Sequence, residues 1–323
     1  MKFLVTGITG FVGPHMAHLL MDEGHDVCGL IRASDGREQN IEKRIGSDYF
    51  DKLDFVYGDL TNQESISKIF NENDFDGVFH LAAQSHPPTG FTHPKLTFEV
   101  NALGTINIVE AIMKHERECK LMNCSTSEVY GVLKDDTPID ENTQINPVNP
   151  YGVSKAGAEL YVRERAKSEK CPFVVSRAFS HTGSGRGRNF SISSDAYQLV
   201  RVKKGLQKPI IQVGNLKSKR VVMDVRDCVR GYYLLMMKGE PGEAYNIGAD
   251  PDRLYSMDEL FDKMASMLDL KVEKRLDEKL YRPIDIPIQV ADVTKFKNLT
   301  GWKATIPIEE TLQDLLNYWN DNV

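Results

Sequence analysis

The stretch that decides the fold is residues 2–13, KFLVTGITGFVG. A short apolar run reaches Gly7, and Gly10 and Gly13 follow at intervals of three residues. Apolar residues at helical spacing then continue to Gly24. A strand, a glycine-rich turn and a helix in this order place a helix N-terminus where a dinucleotide pyrophosphate can bind. The stretch therefore predicts the first βα unit of a dinucleotide-binding sheet.

Further apolar runs alternate with helical patterns over about 175 residues. The predicted strands are HDVCGLI, LDFVYGD, DGVFHLAA, KLMNCST and PFVVSRA. Such alternation requires right-handed crossovers and a parallel sheet that is covered on both faces. After residue 178 the sequence becomes polar and glycine-rich, and shorter elements follow. We therefore predict an α/β fold, a Rossmann-type doubly wound parallel sheet with a smaller mixed C-terminal substrate lobe.

The composition excludes several classes of protein. The 323 residues carry a formal net charge of −6 with mixed signs, which argues against a general nucleic-acid binder. Five cysteines without a C-x-x-C or a zinc spacing indicate reduced thiols, no metal site and a cytoplasmic location. The chain enters its first strand at once, without a signal peptide, and we expect no apolar run near the ~18 residues of a membrane span.

The cofactor expected at the glycine turn is NADP. NAD-selective sites often carry an acidic residue at the end of the second strand, and Ile31 stands there. Arg32 and Ser34 follow, and a cation with a hydroxyl suits a 2′-phosphate, although NAD stays possible. Asp59, after the third strand, could accept a hydrogen bond from the adenine amino group.

Tyr151 and Lys155 lie four residues apart in NPYGVSK. With Pro150 as the first helical residue and Asn149 as the N-cap, both side chains face the same side of a helix that runs to about residue 167. A tyrosine with its usual pKa near ~10 is a poor base at neutral pH. A neighbouring ammonium and a helix N-terminus are expected to favour the phenolate, and Lys155 can also hold the nicotinamide ribose.

With these features, the chain resembles the extended short-chain dehydrogenase/reductase family, in particular its nucleotide-sugar-modifying branch. The resemblance covers essentially the whole chain and rests on TGITGFVG, GDL, HLAAQSH, STSEVYG, NPYGVSK, GNLKSKR and YNIG. It implies that Tyr151 exchanges a proton with a sugar 4-hydroxyl while a hydride passes between C4 and the nicotinamide. The expected cofactor-binding residues are Gly7, Thr9, Gly10, Phe11, Val12, Gly13, Arg32, Ser34, Asp59, Leu60, Leu81, Ala82, Ala83, Tyr151 and Lys155.

The resemblance also implies that two parts of the chain bind different ligands. Residues 1–178 form the NADP-binding domain, and segments near residues 222–248 return to it. Residues 179–323 form mainly the nucleotide-sugar-binding lobe. A homodimer or homotetramer is expected through the helix that begins at Pro150 and the helix over about residues 96–115.

Two branches of the family compete for the activity. RAFSHTG, GNLKSKRVVMDVRD and GEPGEAYNIG look like GDP-4-keto-6-deoxymannose reductases, whereas AAQSH and Thr126-Ser127-Glu128 look like GDP-mannose 4,6-dehydratases. A reductase needs no base for a C–H bond. A 4,6-dehydratase oxidises C4, removes the C5 proton with a carboxylate, expels water from C6 and returns the hydride to C6.

Chemistry gives Glu128 the role of the base, because elimination needs a carboxylate beside Tyr151. Thr126 would bond the 4-oxygen and polarise the ketone. Thr126, Glu128, Tyr151 and Lys155 are therefore the predicted catalytic residues of a GDP-sugar 4,6-dehydratase, a lyase. A GDP-4-keto-6-deoxyhexose reductase is the alternative. A non-catalytic dinucleotide-binding protein is a remote alternative, because the catalytic residues are intact.

The substrate site is predicted by resemblance alone. Arg220 and Arg282 contact the diphosphate or its ribose, and segments around Asn189 and Asn215 line the guanosine site. The remaining predicted substrate-binding residues are Ser85, His86 and Ser127. One departure concerns Ser180, which stands where the family has an asparagine near the sugar-linked phosphate. A smaller side chain widens the pocket there, so GDP-N-acetylglucosamine is a candidate substrate beside GDP-mannose.

Overall fold

The computed structural model describes residues 1–32, 36, 38–115, 118–133 and 136–323. Within these ranges, seven strands form one parallel sheet in the order β3-β2-β1-β4-β5-β6-β11. Its strands are β1 (Lys2–Thr6), β2 (Asp26–Ile31), β3 (Asp54–Tyr57), β4 (Gly77–His80), β5 (Lys120–Thr126), β6 (Phe173–Ala178) and β11 (Ala244–Ile247). The strand order reverses between β1 and β4, so a crevice opens there at the carboxyl edge. The predicted fold class is confirmed.

Helices cover both faces of this sheet. The helices of the chain are α1 (Val12–Asp22), α2 (Gln39–Ile45), α3 (Ser47–Phe50), α4 (Gln63–Glu72), α5 (Pro87–Thr92), α6 (Pro94–Phe98), α7 (Gly104–His115), α8 (Pro150–Ser168), α9 (Ser191–Lys203), α10 (Val225–Lys238), α11 (Met257–Met267), α12 (Thr294–Thr300) and α13 (Ile308–Asn322). Successive side chains of β1 enter different cores, because strand residues alternate between faces. Phe3 and Val5 pack with α1 and α10, and Leu4 packs with α4 and α7.

The smaller lobe is built from short strands and three helices. Its strands are β7 (His181–Thr182), β8 (Ile210–Val213), β9 (Lys219–Val221), β10 (Met223–Asp224), β12 (Leu254–Ser256), β13 (Glu273–Leu276) and β14 (Ile288–Gln289). They pair as β10 with β7, β9 with both β12 and β14, and β13 with β8. A separate apolar core joins α9, α11 and α13. The chain returns to the main sheet through α10, which packs on α1, and through β11, which pairs with β6. The domain boundaries themselves stay a prediction.

The run Pro94–His115 comprises α6, a π-helical turn (Glu99–Leu103) and α7. Contrary to the expectation from the sequence, its 22 residues, with mean hydropathy 1.2, are long and apolar enough to cross a membrane by length and composition alone. Half of the most apolar 18-residue window of this run is buried inside the protein. Ile108, Val109 and Ile112 pack there in the core beneath the sheet, as in the core helix of a soluble protein.

Candidate active site

A cavity of about 1090 Å³ runs along the carboxyl edge of the sheet, between the sheet and the smaller lobe. Every predicted site residue within the described chain lines this cavity, whereas Ser34 lies outside the described residues. The glycine turn, Arg32 and Asp59 lie at the sheet end, and Asn215 and Arg220 lie on the lobe. Among the residues that the structure describes, no group of three or more His, Cys, Asp or Glu is placed to hold a metal ion.

The glycine turn leaves no room for side chains where β1 passes into α1. Gly7 has a φ of 71°, and a Cβ there would lie 2.8 Å from the backbone nitrogen of Ala82. A Cβ on Gly13 would lie 2.5 Å from the Gly7 carbonyl oxygen. The helix start therefore packs directly on the strand end, as a pyrophosphate site requires. Arg44 on α2 donates hydrogen bonds to the Gly10 carbonyl and, at 3.0 Å, to the Gly185 carbonyl, a contact not foreseen from the sequence.

A buried chain of polar groups fixes the end of β4 beside this turn. The Thr6 hydroxyl lies 2.8 Å from His80 Nδ1, and His80 Nε2 lies 3.0 Å from the Thr105 hydroxyl. The Ala82 backbone N–H donates to the Thr6 hydroxyl at 3.1 Å. Burial, with a smaller effect of the Lys155 charge, lowers the pKa of His80 to about 3. A neutral imidazole thus holds the predicted Leu81–Ala83 wall of the cofactor site in place.

The end of β5 is anchored from below. The Ser125 hydroxyl donates to Glu159 Oε2 at 2.7 Å, and Glu159 Oε1 accepts from Arg177 Nε at 2.8 Å. Both ionic side chains are buried, so the pair satisfies charges that would otherwise be costly. Thr126 ends the strand, and a 3₁₀ turn over Ser127–Tyr130 then carries Glu128 to the cavity.

Tyr151 and Lys155 project from the first turns of α8 into the cavity. The helix begins at Pro150 and its N-cap is Asn149, whose side chain accepts from the Gly152 N–H at 2.7 Å, as predicted. The Tyr151 and Thr126 hydroxyls share a hydrogen bond. Burial raises the pKa of Tyr151, and the nearby Cys124 and Glu128 raise it further. The phenol therefore keeps its proton in the protein alone, contrary to the expected phenolate, since burial outweighs the favourable charges.

Both carboxylate oxygens of Glu128 are occupied. Oε1 accepts from Arg282 Nη1 at 2.9 Å, and Oε2 accepts from Asn149 Nδ2 at 2.5 Å. Arg282, which is predicted to contact the diphosphate or its ribose, pairs in this structure with the predicted base. The capping residue of α8 thus also positions Glu128.

The other predicted substrate residues lie on the cavity wall with partners of their own. Arg220 donates to the Ile286 carbonyl at 2.6 Å, and burial lowers its pKa. Asn215 Nδ2 donates to Asp285 at 2.6 Å, and the Ser127 hydroxyl donates to Gln289 Oε1 at 3.2 Å. These contacts preorganise the wall.

Three predicted residues form the rim between the two ends of the cavity. His86 Nδ1 lies 2.9 Å from the Thr89 hydroxyl, and burial lowers the pKa of His86. Ser85 and Asn189 are exposed on the cavity wall. The cavity is therefore continuous from the glycine turn to the lobe.

Sequence reasoning missed several charged residues of the cavity, among them Arg186 and Asp195. The Arg186 guanidinium lies 3.5 Å from the Phe190 ring centroid and 4.8 Å from that of Phe11, and burial lowers its pKa to about 10. Asp195 lies near the start of α9 and is only 5% exposed. The arginine-rich GRGRNF could have signalled the first, since it follows the glycine-rich loop. A single acidic residue in SISSDAYQ gave no signal for the second.

Comparisons with known proteins place this geometry in context. Residues 4–315 match the family described as GDP-mannose 4,6 dehydratase. The chain is 29% identical to a GDP-6-deoxy-D-mannose reductase of Pseudomonas aeruginosa, over 100% of this chain and 98% of the reductase. It is 28% identical to a GDP-mannose 4,6-dehydratase of Vibrio cholerae, over 98% and 92% of the two chains. The solved structure of RMD from Pseudomonas aeruginosa complexed with NADPH superposes with a TM-score of 0.85 at 28% identity, over 100% of this chain and 99% of that one.

Proposed function

Because the chain belongs to the GDP-mannose 4,6 dehydratase family, we propose that it is a GDP-sugar 4,6-dehydratase, a lyase that forms a GDP-4-keto-6-deoxyhexose. The observation that carries this proposal is the position of Glu128 in one cavity with Thr126, Tyr151 and Lys155. Transfer of a hydride at C4 needs no carboxylate at this place. Removal of the C5 proton needs one.

NADP is the proposed cofactor, with NAD possible. The side-chain-free glycine turn suits a pyrophosphate, and Arg32 lies exposed on the cavity wall directly after the buried Ile31. The superposable Pseudomonas aeruginosa structure is described as complexed with NADPH. The glycine turn and Lys155 would hold this cofactor, which when bound would supply a positive charge and a carrier for the hydride between C4 and C6.

The residues of this chain then divide the proton transfers. With the cofactor bound, its positive charge would favour the phenolate of Tyr151, which would then take the proton of the 4-hydroxyl. Thr126, already bonded to the phenol, would hold the 4-oxygen. Glu128 removes the C5 proton, which the C4 ketone has acidified, and gives it to the C6 hydroxyl as the C6–O bond breaks. C5 finally takes up one proton, which offsets the proton lost from the 4-hydroxyl. The net change in the sugar is therefore the loss of one water.

Each oxygen of Glu128 already accepts one hydrogen bond, so a substrate C5 proton must share the carboxylate with Arg282 and Asn149. Arg282 is the partner that a substrate can draw away, because a diphosphate accepts bidentate bonds from a guanidinium. We propose that the diphosphate of the bound sugar nucleotide takes Arg282 from Glu128 and frees Oε1 towards C5. Asn149 keeps Oε2 in place meanwhile. Substrate binding thus prepares the base.

A GDP-4-keto-6-deoxyhexose reductase is the second candidate. The 29% identity to the Pseudomonas aeruginosa reductase favours it, since that similarity spans the whole chain. The two activities differ in what they consume. A dehydratase removes water without net change in the nicotinamide absorbance, whereas a reductase oxidises NADPH in equal amount to its 4-keto substrate.

The deciding experiment incubates the protein and NADP with a panel of nucleotide sugars and follows their masses. Loss of one water from a GDP-hexose, at constant nicotinamide absorbance, is the expected result. The panel contains GDP-mannose and GDP-N-acetylglucosamine, because Ser180 lines the cavity and we expect its small side chain to leave room for an N-acetyl group. If GDP-mannose reacts at least as well, the wider-pocket argument fails. Oxidation of NADPH by a 4-keto sugar, without water loss, would establish the reductase.

We propose a homodimer through α6, the π-helical turn and α8. Large apolar side chains on these neighbouring elements are exposed in the single chain, which a second copy would cover. Their exposed fractions run from 42% to 53% for Leu96, Phe98, Leu103, Val153 and Leu160.

A further inference from the structure

Asp195 is a buried carboxylate that faces the lobe end of the cavity. It is 5% exposed and lines the cavity with Gln212, Gly214 and Asn215. From the residues that the structure describes, no hydrogen bond or ion pair reaches its oxygens. Lys274, the cation that acts on it most, is already paired at 2.5 Å with both Asp258 and Asp262.

Such an environment is costly without a ligand. Burial raises the pKa of Asp195 to about 7, against a smaller opposing effect of Lys274. Buried carboxylates are otherwise almost always paired, because desolvation of an unpaired charge outweighs most packing gains. A carboxylate that lacks a partner in the protein but faces a ligand cavity indicates that the partner arrives with the ligand.

We propose that Asp195 reads the guanine base of the bound nucleotide, accepting hydrogen bonds from its N1–H and its 2-amino group. This inference rests on the proposed function, which supplies a GDP-sugar as the ligand. Guanine presents two adjacent donors, which match the two oxygens of one carboxylate. Adenine and cytosine present a donor beside an acceptor, and uracil presents one donor between two acceptors. Asp195 therefore selects guanine and disfavours the other bases.

Calorimetric titration of the NADP-saturated protein with GDP and inosine diphosphate tests this pairing, since inosine lacks only the 2-amino group. We expect the wild type to bind GDP about tenfold or more tightly than inosine diphosphate, and more tightly than ADP, CDP or UDP. Asp195→Asn should weaken GDP by about tenfold or more and bring the ratio of the two affinities close to one. Asp262→Asn removes the same charge beside Lys274 from an exposed position and should preserve the ratio.

The outcomes separate this inference from the proposed function. If the wild type prefers GDP and Asp195→Asn keeps the ratio, Asp195 does not read the base although the GDP-sugar assignment stands. If the wild type shows no preference for GDP over ADP, CDP and UDP, the substrate class falls as well. If the wild type prefers CDP or ADP and this preference depends on Asp195, the guanine proposal is wrong. Asp195 would then bind the base as a protonated carboxyl group. NADP affinity reports whether each variant is folded. If Asp195→Asn loses NADP binding, Asp195→Ser is tested in its place.

Discussion

At the scale of single residues, the proposed dehydratase activity predicts a requirement for Glu128. Glu128→Gln should lower the rate of water loss by about 10²–10⁴-fold, because an amide cannot accept the C5 proton. The amide keeps the size of the side chain, so NADP should bind as before. Mass spectrometry of the nucleotide sugar measures the first quantity, and cofactor fluorescence titration measures the second. Water loss that survives the change would make Glu128 a polar strand end and assign the C5 proton to another base.

The burial of Asp195 is expected to lower the stability of the ligand-free protein, although the same side chain is proposed to bind the ligand. Its folded pKa of about 7 lies above the ordinary 3.8, so the folded chain resists losing this proton. The resulting cost is absent below about pH 4, grows as the pH rises and is fully present above about pH 7. Asp195→Asn should therefore stabilise the ligand-free protein at pH 8 by up to about 4 kcal/mol relative to its effect at pH 4. Urea unfolding at the two pH values measures this difference, and parallel pH dependences in both proteins would contradict it.

At the scale of elements, the N-terminus of α8 has two functions that a pair of variants separates. Asn149 caps the helix and also holds Glu128 Oε2, whereas Asn62 caps α4 through the Ser65 N–H at 2.9 Å and lies outside the cavity. Asn149→Ala and Asn62→Ala should each cost about 1 kcal/mol of unfolding free energy. Only Asn149→Ala should also lower the dehydration rate, by about tenfold to a hundredfold, since Glu128 loses its positioning bond. Equal rates in the two variants would show that the cap has no catalytic effect.

The same element shows what the sequence could predict. Pro150, Tyr151 and Lys155 lie within the first two turns of one helix, and Gly7 and Gly13 lie where one strand passes into one helix. Spacing along the chain was therefore enough to predict their positions. The contact of Arg282 with Glu128 joins distant segments and depends on how the lobe folds back. Asp195 was missed because burial, rather than residue type, makes it unusual. The phenolate expectation failed for the same reason, since burial cannot be read from neighbours in sequence.

At the scale of the whole molecule, the sheet and the lobe each supply half of the site. The sheet edge provides the glycine turn, Thr126 and Tyr151, and the lobe provides Arg220 and Arg282. The pair between Arg282 and Glu128 connects the two halves in the absence of a ligand. A sugar nucleotide bound across the cavity would replace this connection with its own diphosphate, so binding and preparation of the base become one event.

The exposed apolar surface of α6 and α8 gives the last prediction, at the level of assembly. Val153 and Leu160 lie seven residues apart on one face of α8, beside α6, and Leu160 is 53% exposed. Leu160→Glu should convert a dimer into monomers, because burying an unpaired carboxylate at an apolar interface costs several kcal/mol. Leu206 is also 53% exposed but follows α9 on the lobe, so Leu206→Glu is the matched control and should stay dimeric. Sedimentation velocity measures the oligomeric state of both variants. Circular dichroism checks that the monomer is folded, which we expect because an exposed side chain contributes little to the stability of its own chain. A Leu160→Glu protein that sediments like the wild type would place the interface elsewhere.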